Sequence, residues 1–211
     1  MTHPPQGVFF YPVKCYPVGM NTNLELKTGN WLLVVGSHTT LPTILRMIGR
    51  LAESGPVRVV DNGFSFNPFI VIAGMHGGMN ALQRIRVYKA YSCREMLSVL
   101  ESLDSGPEPF VVLDFLATFF YFFEGFEQRK CLLSSCLVQL NRLVGASATR
   151  VAETADGGRT PPRPASGLVS IHLPTVLSQA ESELLGMVTR ACSDTCHVER
   201  SAAAALLVRV C

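Results

Sequence analysis

The segment Gly36-Ser-His-Thr-Thr-Leu-Pro-Thr43 follows an apolar run, Trp31-Leu-Leu-Val-Val35, and precedes a stretch of helical period. A loop of this length between a strand and a helix is where backbone N–H groups cradle phosphate in the pattern G-x-x-x-x-G-K-[ST]. Gly36 and Thr43 match that pattern, but Leu41 stands at the second glycine and Pro42 at the lysine. Proline brings neither an N–H nor a positive charge, so a triphosphate held in the usual way would lose most of its counter-charge. Gly36, Ser37, His38, Thr39, Thr40 and Thr43 are the candidates for residual nucleotide contact. For His38 two readings stand, an ordinary surface residue and a phosphate contact.

Two carboxylates follow apolar runs. Val57-Arg-Val-Val60 leads to Asp61-Asn-Gly63, and Phe110-Val-Val-Leu113 leads to Asp114. Such positions face the crevice in which open parallel sheets take their ligands. Asp114 reads either as the holder of a magnesium-bound water or as a cap on a neighbouring loop or helix N-terminus. Cys192-x3-Cys196-His197 lacks the second ligand pair that a zinc site requires. The seven cysteines are odd in number and scattered, which fits free thiols in a reducing compartment. Met1–Gln6 shows no basic stretch leading into an apolar one, so a cytoplasmic protein is expected.

Seven aromatic residues crowd Phe115–Phe126. Three readings are open: core packing, a protein partner surface, or stacking of single-stranded DNA bases. The candidate contacts are Phe119, Phe122, Phe123 and Phe126. No Lys or Arg stands between Asp114 and Arg129, so the phosphate neutralisation that DNA binding needs would fall to Arg150, Arg159 and Arg163.

These groups require a frame. The chain of 211 residues is 48% hydrophobic and 16% charged, with a net charge of +2, which suits one domain with a substantial core and excludes a global basic field. Mean hydropathy is +0.28, yet the most apolar window, Pro109–Phe123, contains Asp114 and is shorter than the ~20 residues of a membrane span. Strands are expected at Trp31–Val35, Val57–Val60, Ile85–Tyr88, Phe110–Asp114, Gly167–Leu173, Cys196–Glu199 and Leu206–Val210. Helices are expected after Thr40, over Asn67–Met75, after a Ser92–Glu95 capping box, over Glu127–Leu143 and over Ser178–Ala191. Residues 1–22 form a Pro- and aromatic-rich arm, read as packing either on its own domain or on a neighbouring subunit. Residues 23–144 form the core, 145–166 a flexible Gly/Pro-rich loop and 167–211 a strand–helix–strand completion of the core.

The ordered set R-V-V-D61-N-G-F-S-F66-N-P68-F, then I85-R-V-Y-K-A-Y-S-C-R-E-M-L-S-V-L100, then F-V-V-L-D114-F-L-A-T resembles the RecA/RadA-type recombinase core. The resemblance covers about residues 28–144 and more loosely 167–210. It implies an α/β fold with a mostly parallel sheet and helices on both faces. Asp61, Phe66 and Pro68 fit the family's D-x-E-x-x-F-x-P segment, and Asp114 fits the Walker B aspartate. Gly63 then takes the catalytic glutamate's place and Pro42 the lysine's. The resemblance implies a catalytically degenerate paralogue, an accessory subunit in DNA repair or recombination. Its partner would be a recombinase-like protein or a second copy, with single-stranded DNA possible, no membrane, and ATP with magnesium at most residual. Two alternatives remain open, a nucleotide-binding ATPase completed by residues in trans and a scaffolding or signalling module without a DNA role.

Overall fold

The computed structural model describes residues 14–17, 31–36, 40–62, 64–76, 79–121, 125–149, 165–173, 177–192, 194–201 and 204–210. Val-, Leu- and Ile-rich runs form the central strands, as expected where both faces of a sheet are covered. They are β2 (Trp31–Gly36), β3 (Val57–Asn62), β5 (Phe110–Leu113) and β6 (Gly167–His172), and the more exposed β4 (Ile85–Ala90) edges the sheet. Short β1 (Lys14–Pro17) and terminal β7 (Asp194–Ser201) and β8 (Ala204–Val210) complete the sheet, in the order β1-β8-β7-β2-β6-β5-β3-β4. Strands β7 through β4 in that order run parallel; β8 is antiparallel to β7 and to β1. Lys14–Pro17 of the arm thus pairs within its own chain.

The helices are α1 (Leu41–Ser54), α2 (Pro68–Ile72), α3 (Cys93–Ser102), α4 (Ala117–Tyr121), α5 (Phe126–Thr149) and α6 (Gln179–Ala191). They cover both faces, and the period-2 alternation of the strands builds one core on each. Trp31, Leu33, Val35, Val112 and Ile171 pack beneath α3, α5 and α6, whereas Val34, Val59, Val111 and Leu168 pack beneath α1 and α2. The α/β expectation, a mostly parallel sheet with helices on both faces, holds.

Several boundaries shift. Strand β4 runs on to Ala90, and α2 stops at Ile72 rather than Met75. Helix α5 continues through Thr149, five residues into the segment read as a loop, while 150–164 lie outside the described residues. Thr40 takes the N-cap position of α1 without a side-chain cap bond. At α3 the Glu95 N–H donates to Ser92 Oγ at 3.1 Å, but the Glu95 carboxylate accepts from the Tyr91 N–H rather than closing the box on Ser92. A full capping box forms instead at Ser178–Glu181.

Helices α1 and α2 meet backbone to backbone. A Cβ at Gly49 would stand 2.5 Å from the Val71 carbonyl oxygen, and one at Gly74 2.5 Å from Arg46 Cα. Only glycine fits either approach.

Candidate functional site at the carboxyl ends of the strands

Parallel pairing brings four strand ends side by side. Gly36 is in register with His172, the Leu173 N–H donates to the Gly36 carbonyl at 2.9 Å, and Asp61 is in register with Leu113. Strand β6, late in the chain, lies between β2 and β5, so the loop-bearing strand and the Asp114 strand are separated by the strand that carries His172.

Asp114 turns the chain with φ of 51°, a left-handed conformation that Asp tolerates better than most residues. Its N–H donates to Ser170 Oγ at 3.0 Å, and the next N–H, of Phe115, donates to the Ser170 carbonyl at 2.8 Å. The carboxylate is occupied as well. Asp114 Oδ1 accepts from the His172 N–H at 3.2 Å, and Oδ2 lies 3.4 Å from His172 Nδ1. The His172 ring is 1% exposed and the Asp114 side chain 14%. These contacts are of the capping kind, tying the end of β5 to β6.

Asn62 secures the same turn from β3. Its Nδ2 donates to the Asp114 carbonyl at 2.9 Å, the Phe115 carbonyl at 3.0 Å and Thr118 Oγ1 at 3.3 Å. Asp61 points its Oδ1 at the following turn, accepting from the Ser65 N–H at 2.8 Å and the Phe66 N–H at 3.1 Å. Burial pushes the Asp61 carboxyl up from its ordinary pKa, against these two hydrogen bonds and the Lys89 charge. Between the unfolded and the raised folded pKa the native chain binds more protons than the unfolded chain, so this group's contribution to stability falls as pH rises through that window. Asp61→Asn keeps an acceptor for Ser65 and Phe66 and removes the charge. Its thermal midpoint relative to the native chain should therefore be most favourable at neutral pH and least so in mild acid. A series of melts in which the native chain gains on the variant with rising pH would overturn this.

Of the phosphate-loop candidates, Ser37, His38 and Thr39 lie outside the described residues, as does Gly63. Thr40 is buried, Thr43 is exposed in the first turn of α1, and Pro42 opens that helix. Among the described residues no three His, Cys, Asp or Glu side chains gather into a metal-holding group.

The described side chains of the aromatic run lie in or against the core. Phe115 and Phe119 are fully buried with ring centroids 5.8 Å apart, and Phe120 and Phe126 are half-buried against the same cluster. Phe119 is thus no contact residue in this chain, because its ring fills the space between the sheet and α5. Phe126 is covered by the Arg129 and Lys130 side chains, 5.7 and 5.2 Å from its centroid. Phe122, Phe123, Arg150, Arg159 and Arg163 lie outside the described residues. The exposed large apolar side chains include Phe64, Phe69, Met79 and Tyr91, none of which the aromatic run predicted. Ser170 and His172 also escaped sequence reasoning. Their signal is two polar residues interrupting the apolar β6 run at the spacing of one sheet face.

No protein-family profile and no curated protein matches the chain. Among solved structures, that of the RadB recombinase superposes with a TM-score of 0.53 over 83% of this chain and 77% of that one, at 18% identity. The chain has a RecA-like P-loop fold. A second RecA-like neighbour, an ATP synthase subunit, NeqB, from Nanoarcheaum equitans, gives a TM-score of 0.50 over 83% of this chain and 47% of that one, at 10% identity. The cluster lies at the carboxyl ends of the parallel strands, the side on which open sheets of this kind take ligands. No helix among the described residues is long and apolar enough to cross a membrane.

Proposed function

We propose that the chain is a RecA-like recombinase paralogue that serves DNA repair or recombination as an accessory subunit, without hydrolysing ATP itself. One observation carries the reading. Pro42 opens α1 where the phosphate loop needs its lysine, and the Asp114 carboxylate is already engaged by His172. Phosphoryl transfer depends on positioning and charge stabilisation, and here both are weakened at once. Similarity to the RadB recombinase supports the recombination context. The partner would be a recombinase-like protein with an intact phosphate loop, or a second copy of this chain.

Purified protein is expected to show no ATPase activity above background. A turnover of ~1 per minute or higher, lost in Asp114→Ala, would overturn the proposal, since a site without the lysine and the catalytic carboxylate should fall well below even slow enzymatic rates. Affinity capture from native cells should recover a recombinase-like ATPase.

The retained Asp114 favours one other reading, a nucleotide site completed in trans. Micromolar binding of a fluorescent ATP analogue that needs magnesium and is abolished by Asp114→Ala would favour it over the first.

A further inference from the structure

We draw no further inference here: the strongest candidate, the exposed aromatic patch of Phe64 and Tyr91 beside Lys89 at the β4 edge of the sheet, carries nothing because nothing in the structure shows what covers it.

Discussion

Phe119→Ala is expected to lower the folding free energy by about 3–5 kcal/mol, the range for removing a fully buried aromatic side chain. The ring is 0% exposed and packs with Phe115 in the core beneath α3 and α5. For a domain of this size each kcal/mol moves the thermal midpoint by about 2–4 °C, so a fall of roughly 10 °C should be seen. Urea unfolding followed by circular dichroism gives the free energy directly. A loss below ~1 kcal/mol, the scale of a surface change, would return the ring to the surface and restore the partner reading of the aromatic run.

Arg58→Met should rank close behind, at about 3 kcal/mol, because it strands acceptors that were satisfied by a buried cation. The guanidinium, on a residue 4% exposed, donates to the Asp104 carbonyl, to the Gly106 carbonyl at 3.4 Å and to the Glu108 carbonyl at 2.7 Å. It thereby closes the connection from α3 to β5. Burial lowers its pKa, with Glu108 as the largest opposing influence. Methionine keeps the bulk but none of the donors. Arg58→Lys should recover only part of the loss, since one ammonium cannot span three carbonyls as a planar fork does. An unchanged denaturation midpoint in Arg58→Met would show that the connection holds without it.

The strands and most helices were legible because their signals are local. Val57–Val60 and Phe110–Leu113 are continuous apolar runs, and Ile44, Leu45 and Ile48 recur at helical spacing. Spatial order was not legible in the same way. Nothing within Gly167–His172 says that it inserts between β2 and β5, so the meeting of His172 with Asp114 emerges only from the sheet. The aromatics mislead for a related reason. Phe115 and Phe119 stand four apart and face inward, a choice fixed by the packing of α5 over the sheet rather than by composition. Phe64 faces outward because two backbone bonds to Asp61 set the turn it sits on. A count of rings per segment cannot tell these cases apart.

The glycine contacts between α1 and α2 have a mechanical consequence. Where helices meet through side chains, a rotamer change can absorb a small displacement. At Gly49 and Gly74 main chain lies on main chain, and close-packed interiors transmit strain rather than damp it. The joint has no backlash. A displacement of α1 is therefore not taken up by side chains at this contact but carried into the turn of α2, which bears the outward-facing Phe69.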